Sequence, residues 1–311
     1  MDTNKITQMI RIAKMHYELN RTQLEIAKKE GISKATVSRI LKSAMDKGII
    51  EVRIKDSILN DTALEKDLID AYPIKRAVIV PDLVENEQIL LQDVCAALID
   101  DLPRYVKSDS VIGVFYGHTL TALPKIKRKG VSVIQLAGGF SRAVYESNSL
   151  SILRSFADCF GGTAYQIPAP AMVEKPFIVE ALKQDSQIAK VCDMAEICET
   201  AIFSVGNLER PSILYEMGLI TSIEYQDMIH RGAIGDCCSH FLNKNGDVFD
   251  ETMDARVVGP SLETIKKIPN KMLVVSGKKK AAVIHAALKG GLADSLYIDA
   301  PTAEELLKKQ F

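Results

Sequence analysis

The sequence contains, from Thr22 to Gly48, the stretch TQLEIAKKEGISKATVSRILKSAMDKG, around which the rest of the chain can be interpreted. Its pattern predicts two short helices joined by a tight turn at Gly31. Leu24 and Ile26 mark the first helix, and the hydroxyl of Ser33 can cap the second helix by accepting a backbone hydrogen bond. This arrangement is typical of a helix-turn-helix.

The second predicted helix, Ser33–Lys47, has a buried face and a solvated face. Apolar side chains at i, i+3, i+4 and i+7 form the buried stripe, and they are Val37, Ile40, Leu41 and Ala44. The opposite face suits a DNA major groove, because Arg can bind a guanine edge while Ser, Thr and Lys bind phosphates. The predicted contacts to double-stranded operator DNA are Thr22, Ser33, Lys34, Ala35, Thr36, Ser38, Arg39 and Lys42.

Two ordinary amphipathic helices with a wet surface are the alternative, and the charge distribution weighs against them. Residues 1–55 hold 12 Lys and Arg against 6 Asp and Glu, a net charge of +6, which leaves −7 for the remainder of a chain whose total is −1. A basic end on an acidic body is typical of a DNA-binding module carried by another domain.

Length and composition limit the possible size and class of the remaining part of the chain. The chain has 311 residues, which suits a small module plus a body of about 250 residues. Its 47% hydrophobic and 25% charged residues are ordinary for a globular protein.

No apolar run reaches membrane-spanning length, and the N-terminus lacks the apolar core of a signal peptide, so we expect a cytoplasmic protein without a membrane partner. The six cysteines show no metal-binding spacing, which favours buried free thiols and predicts neither a metal nor a cofactor.

Three segments are expected along the chain: a winged helix-turn-helix over residues 1–55, a linker helix over 56–72 and a sensor domain over 73–311. Asn4–Leu19 should form a helix behind the other two, and Ile49–Ile54 alternates like a short wing strand. The core-facing positions expected in the first helix are Ile6, Ile10, Ala13 and Tyr17.

The body alternates strand-like and helical segments. The predicted strands are Ala77–Val80, Val111–Phe115, Val131–Leu136, Thr200–Val205, Met272–Ser276 and Ser295–Ile298. The predicted helices are Asn86–Asp101, Ser147–Phe160, Lys175–Ala195 and Lys279–Lys289. Because the strands are continuous Val/Ile runs, we expect a parallel sheet covered on both faces, which is a doubly wound α/β domain.

Ligands of such sheets bind beyond the carboxyl ends of the strands, and several ends here contain glycine. At Gly113–Thr119 a strand runs into a helix start, where N–H groups, His118 and the Thr119 hydroxyl would hold a phosphate. Glycine there also has a purely steric explanation. The other ends are Gln135–Gly139, Ser204–Asn207, Gly235–Asp236 and Ser276–Lys280. With Gln135, Asp236 and Lys280 they suit a small anionic polyol.

Plainer explanations remain for single residues at these strand ends. Lys278–Lys280 can be a solvated cluster, Asp236 a cap or turn residue, and His118 a surface histidine. The sequence contains neither GxxxxGK[ST] nor a helix-opening GxGxxG, which argues against a nucleotide as the main ligand.

Seven motifs occur in one order along the chain: TQLEIAKKEGISKATVSRIL, GVFYGHTL, QLAGG, IPAPAMV, GAIGDCCSHFLNKNG, RVVGPSLETIKKIP and VVSGKKKAAVIHAALKGGL. With them the chain resembles, over nearly its full length, the SorC family of bacterial sugar-responsive transcription regulators. The resemblance implies a sensor with the fold of sugar-phosphate isomerases but without their activity. It also implies a dimer or tetramer and a phosphorylated sugar as effector.

By that resemblance, one turn would bind the phosphate and the remaining strand ends would face the sugar. The implied effector-binding residues are Gly117, His118, Thr119, Gln135, Gly138, Gly139, Gly206, Asp236 and Lys280. Two departures stand out. Phe115 and Tyr116 replace the usual Ser-Trp of the turn, and Ala137 stands where a lysine of some members could form a Schiff base.

We therefore expect a ligand-controlled regulator, a repressor of a carbohydrate or nucleoside catabolic operon. An isomerase-like enzyme fused to a DNA-binding head is the main alternative. That chemistry needs a carboxylate base and a proton-shuttling partner, and the sequence offers Asp236 without a convincing partner. A purely structural DNA-bridging protein would not need the glycine-lined pocket.

Overall fold

The computed structural model describes residues 3–50, 62–115, 128–139, 149–208, 215, 218 and 220–308. The chain divides into two compact units, residues 1–55 and 56–311. Within the described residues, no helix is both long enough and apolar enough to cross a membrane.

The first unit is a bundle of three helices, α1 (Thr3–Tyr17), α2 (Gln23–Glu30) and α3 (Lys34–Asp46). Its core consists of Ile12, Ala13, Met15, Ile26, Ala27, Val37 and Leu41. The guanidinium of Arg11 donates to both carboxylate oxygens of Glu30, at 2.8 and 2.6 Å, and so ties α1 to α2.

The stripe predicted for α1 is wrong at two positions. Ile10 and Tyr17 are 40% and 43% exposed, whereas Ile12 and Met15 are buried in the core. A period of 3.6 residues fits either face of this apolar helix, and packing against α3 selects one. Ile50 packs against the same core, and residues 51–54 of the predicted wing strand lie outside the described residues.

The second unit contains a seven-stranded and a three-stranded sheet. Its strands are β1 (Arg76–Val80), β2 (Val111–Val114), β3 (Ser132–Gln135), β4 (Thr163–Tyr165), β5 (Thr200–Phe203), β6 (Val205–Asn207), β7 (Gly235–Cys237), β8 (His240–Leu242), β9 (Asn270–Val275) and β10 (Ser295–Asp299). Its helices are α4 (Thr62–Ala71), α5 (Glu87–Tyr105), α6 (Ser149–Phe160), α7 (Pro176–Lys183), α8 (Ser186–Glu196), α9 (Ser222–Arg231), α10 (Glu251–Asp254), α11 (Leu262–Lys267), α12 (Ala281–Lys289) and α13 (Ala300–Lys308). A 3₁₀ turn, Lys278–Lys280, precedes α12.

The large sheet has the order β1-β10-β9-β5-β2-β3-β4, and every neighbouring pair is parallel. Alternate residues of β1 point to opposite sides. Ala77 and Ile79 belong to one hydrophobic core, and Val78 and Val80 belong to the other. Both faces are therefore covered, which confirms the doubly wound α/β domain.

Helix α4, which covers much of the predicted linker, packs on the second unit. Its Leu68 is fully buried in the core of one sheet face. Its Glu65 accepts a hydrogen bond from the backbone N–H of Ile79 at 3.3 Å, on the edge strand β1.

Two predicted elements are divided in the structure. The stretch predicted as one helix over Lys175–Ala195 is two helices, because the Asp185 side chain caps α8 by accepting from the N–H of Gln187. The run Thr200–Val205 ends as β5, and the chain then enters β6 of the small antiparallel sheet β6-β7-β8. This small sheet therefore starts at the carboxyl end of β5.

Candidate DNA-binding and effector sites

Helix α3 presents the predicted DNA-contacting side chains to solvent. Val37, Leu41 and Ala44 of α3 are buried, and Ile40 is half-buried against the same core. The exposed positions on the other face are Lys34, Ala35, Ser38, Arg39 and Lys42. This amphipathic division confirms the helix-turn-helix geometry.

Three of the predicted DNA contacts, Thr22, Ser33 and Thr36, use their hydroxyls inside the fold. The Ser33 hydroxyl accepts from the N–H of Thr36 at 3.1 Å and lies 2.8 Å from the Thr36 hydroxyl. The Thr22 hydroxyl accepts from the N–H of Glu25, which in return accepts from Thr22 in a capping box. These contacts define the ends of the two helices, so Thr22 and Ser33 act first as helix caps.

Arg39 is available for a base edge. Its Nε donates to the carbonyl of Ala35 at 3.4 Å, a long contact within its own helix. Such a contact can be exchanged for a guanine without leaving a buried group unpaired.

The second candidate site lies where the strand order of the large sheet reverses. The chain proceeds outward from β2 to β3 and β4 on one side, and from β5 to β9 and β10 on the other. Ligands of open α/β sheets bind at such a switch point, beyond the carboxyl ends of the strands. The ends of β2 and β5 therefore mark the expected pocket.

Asp236 is a buried carboxyl group at this point. It lies on β7, paired with Gly206 of β6 and with Phe241 of β8, and is 5% exposed. Burial raises the pKa of Asp236 to about 6, although a backbone hydrogen bond from Ser239 and the charges of Lys280 and His240 act in the opposite direction. A buried carboxyl group with a raised pKa is typical of a functional site.

Lys280 lies at the end of the 3₁₀ turn, close enough to Asp236 for their charges to interact. Burial lowers the pKa of Lys280, and the charges of Asp236, Asp299 and Cys95 counteract this. In the described part of the chain, Asp236 and Lys280 influence each other through space and have no hydrogen bond between them. A ligand with hydroxyl or phosphate oxygens can satisfy both groups.

Gly206 provides room for this carboxylate. A Cβ atom at Gly206 would lie 2.3 Å from Oδ1 of Asp236. The residue therefore has a steric function, and direct contact of Gly206 with an effector stays a prediction.

The predicted site residues at and just after the end of β3 contact the proline-rich segment around Pro170. Oε1 of Gln135 accepts from the N–H of Ile167 at 2.9 Å, and the N–H of Gly139 donates to the carbonyl of Ala169 at 2.8 Å. A Cβ atom at Gly138 would lie 2.4 and 2.5 Å from the carbonyl oxygens of Pro170 and Ala169. Because Oε1 of Gln135 is used in the fold, direct contact of this side chain with an effector stays a prediction.

Three predicted residues, Gly117, His118 and Thr119, lie outside the described residues, so the proposed phosphate turn stays a prediction. All six cysteines are free, and five are buried while Cys192 is partly exposed. Over the described ranges, no cluster of three or more His, Cys, Asp or Glu side chains could hold a metal ion.

A buried histidine beside Asp236 was not predicted from the sequence. His240 is 2% exposed, with Nδ1 2.6 Å from Oδ1 of Asp254 and Nε2 3.1 Å from the carbonyl oxygen of Pro260. The segment that contains Pro260 also binds the end of β3, because the N–H of Gly138 donates to the carbonyl of Val258. Its motif RVVGP was visible in the sequence, but its partners lie far away along the chain.

The fold and the two sites together define a class: a helix-turn-helix module joined to an α/β ligand-binding domain, as in a ligand-controlled transcription regulator. The family model described as "Putative sugar-binding domain" matches residues 56–308, and a winged helix-turn-helix DNA-binding model matches residues 20–51. The chain belongs to this sugar-binding family and is a transcription regulator of the SorC type.

Full-length relatives support this assignment. The chain is 27% identical over 311 residues to the deoxyribonucleoside regulator of Bacillus subtilis, with 99% of each chain covered. It is 25% identical to the sorbitol operon regulator of Klebsiella pneumoniae, again with 99% of each covered. The crystal structure of full-length SorC from Klebsiella pneumoniae has the same fold, with a TM-score of 0.73, 23% identity and coverage of 98% of this chain and 100% of that one. The comparisons support a transcription regulator and not the isomerase-like enzyme.

Proposed function

We propose that the chain represses a carbohydrate or deoxyribonucleoside catabolic operon and that a phosphorylated sugar controls its DNA binding. The observation that carries this proposal is the pair of Asp236 and Lys280, a buried acid and a partly buried amine whose charges interact near the switch point. An anionic polyol would supply hydroxyls to the carboxylate and a negative charge to the ammonium.

The phosphate is proposed to bind at Gly117, His118 and Thr119, after the neighbouring strand β2. The sugar would lie between this turn and Asp236, with the amide nitrogen of Gln135 as a further donor. The names of the relatives support a sugar or nucleoside-derived effector, since they include regulators of deoxyribonucleoside, erythritol and sorbitol metabolism.

Regulation requires that the effector binds the DNA-competent and incompetent states with different affinities. We propose that the protein acts as a symmetric oligomer on inverted half-sites, spaced by roughly 10 base pairs or a multiple of that. The effector would change the packing of subunits and with it the distance between the DNA-binding heads.

Calorimetry with a panel of pentose and hexose phosphates tests the effector, with the unphosphorylated sugars as the comparison. For the best ligand, Lys280→Ala should weaken binding by about 10- to 100-fold, since a hydrogen bond to a charged group is lost. In a gel-shift titration, the Lys280→Ala variant should bind the operator, and this binding should no longer respond to the sugar phosphate.

Lys278→Ala is the matched control, because Lys278 is exposed on the same turn. It should leave the affinity for the sugar phosphate unchanged. Equal affinities of the Lys280→Ala and Lys278→Ala variants would show that the pocket is assigned wrongly. Tighter binding of unphosphorylated sugars than of their phosphates would reject a phosphorylated effector.

A further inference from the structure

Two buried side chains, one at the end of β10 and one in the first turn of α13, contact the turn that carries Lys280. Asp299 is 1% exposed and Thr302 is fully buried. The backbone N–H of Gly277 donates to Oδ2 of Asp299 at 3.1 Å and to the hydroxyl of Thr302 at 2.9 Å. The hydroxyl of Thr302 in turn donates to the same Oδ2 at 2.8 Å.

Gly277 determines the path of the chain into the 3₁₀ turn. Its φ of 113° lies in the region that favours glycine, and its carbonyl accepts from the N–H of Lys280 at 2.9 Å. From the other side, the side chain of Asn207 donates to the carbonyl of Lys279 at 3.0 Å. The turn is thus fixed at two points, to β10 and to β6.

A helix cap alone does not explain these contacts. Oδ1 of Asp299 accepts from the N–H of Thr302 at 2.8 Å, which satisfies the first turn of α13. Oδ2 and the Thr302 hydroxyl are not needed for that cap, and both meet at the N–H of Gly277. The contacts of Oδ2 and of the Thr302 hydroxyl with Gly277 therefore stabilise the turn and not the start of the helix.

We propose that Asp299 and Thr302 are positioning residues of the effector pocket, which grip Gly277 and thereby hold the Lys280 ammonium opposite Asp236. The inference rests on the function proposed for that pocket. The Asp299 carboxylate also faces the Lys280 ammonium and opposes the effect of burial on its charge. Both residues thus act on the ligand through Lys280.

The first test does not need the effector. The rate at which an acylating reagent modifies Lys280 in the full chain is measured by mass spectrometry as a function of pH. Thr302→Val removes the hydroxyl at nearly constant volume and releases the turn, so Lys280 should become more solvated. Its modification midpoint should move to higher pH, towards that of an ordinary lysine.

Thr302→Ser is the matched control, because it keeps the hydroxyl and loses a buried methyl group. It should lower the melting temperature while leaving the Lys280 midpoint at the wild-type pH. A wild-type midpoint in Thr302→Val, or an equal shift in Thr302→Ser, would overturn the proposal, since burial alone would then account for both residues.

The second test measures the affinity for a sugar phosphate. Thr302→Val and Asp299→Asn should each weaken binding about tenfold, comparable to the loss of one or two net hydrogen bonds. In the Lys280→Ala background, Thr302→Val should cause no further loss, because its effect passes through Lys280.

The outcomes separate this inference from the proposed function. If Lys280→Ala weakens binding and Thr302→Val does not, the pocket stands and the positioning role is wrong. If additive losses appear in the double variant, the two residues act independently and the role is also wrong. If no sugar phosphate binds to the wild type, the proposed effector fails, and the pH dependence of Lys280 modification still decides the positioning role.

Discussion

The recognition helix and the strand-end pocket place their functional groups in opposite environments. Arg39 and Lys42 on α3 are exposed, and the stability of the three-helix unit comes from the other face of the same helix. Asp236 is instead buried and Lys280 partly buried, and burial raises the pKa of Asp236 and lowers that of Lys280, which favours the neutral form of each. Function and stability are separable on the helix, whereas in the pocket they oppose each other.

The largest expected effect tests this opposition directly. Asp236→Asn should stabilise the second unit, because it removes a carboxylate that must ionise in a buried position. The pKa of Asp236 rises from an ordinary 3.8 to about 6 in the folded state, which corresponds to about 3 kcal/mol above pH 6. The same variant should bind the effector more weakly. Urea unfolding and calorimetry measure the two changes.

The difference in stability between Asp236→Asn and wild type should depend on pH. A raised carboxyl pKa makes the folded state bind the proton more tightly, so wild-type stability falls as pH rises from about 4 to about 6. The difference between Asp236→Asn and wild type should therefore vanish below about pH 4. Asp227→Asn, at an exposed ion pair with Arg231, is the control and should change stability by less than about 1 kcal/mol. A less stable Asp236→Asn at pH 7 would contradict the comparison.

On the recognition helix, we expect a substitution to change DNA binding without changing stability. Arg39→Ala should weaken specific operator binding by about 1–3 kcal/mol if Arg39 contacts a base edge, without changing the melting temperature. Footprinting and thermal unfolding measure these separately. An unchanged footprint would remove the base-reading role of Arg39.

Ser33, the residue that caps the start of α3, is the position where function and stability should not be separable. Its hydroxyl caps the helix, so Ser33→Ala should destabilise the first unit by about 1 kcal/mol. Operator affinity should fall as the helix start frays. Ser33→Asn should restore stability, because Asn is also a good cap. Since Asn adds no charge that DNA phosphates would repel, any remaining loss of affinity would identify a lost DNA contact.

The smallest effect is expected at Lys42. Lys42→Ala should lower affinity equally for specific and nonspecific DNA and reduce the slope of log K against log salt by about 1, as for one phosphate contact. Binding measured at several salt concentrations on both DNAs tests this. A loss confined to the operator would assign Lys42 to base recognition.

The sequence revealed the strands of the large sheet because parallel strands buried on both faces are continuous apolar runs. The edge strand β4, Thr163–Tyr165, lacks that signal, since its first two residues are exposed and it has only three residues. The break between α7 and α8 was hidden because helical periodicity continues across it, and the side chain of Asp185 creates the boundary.

Part of the pocket was predictable because the strands of the parallel sheet, and therefore their ends, can be recognised in the sequence. Lys280 follows a predicted strand end of the parallel sheet, where such sheets gather their ligand-binding residues. Asp236 was predicted at another strand end, but it lies within β7 of the small antiparallel sheet. Asp299 and Thr302 resemble an ordinary strand end and helix start in the sequence. Their contact with Gly277 joins residues 22 and 25 positions apart, and no local pattern records it.

The hydrogen bond from Ile79 to Glu65 has a consequence for the chain as it is made in a crowded cell. A bare edge of a parallel sheet offers N–H groups to any extended segment, which is a route to aggregation. On β1, helix α4 occupies this position, and a carboxylate meets one of the donors. We therefore expect this helix, which lies between the two functional parts in sequence, to hinder edge-to-edge pairing between copies of the chain.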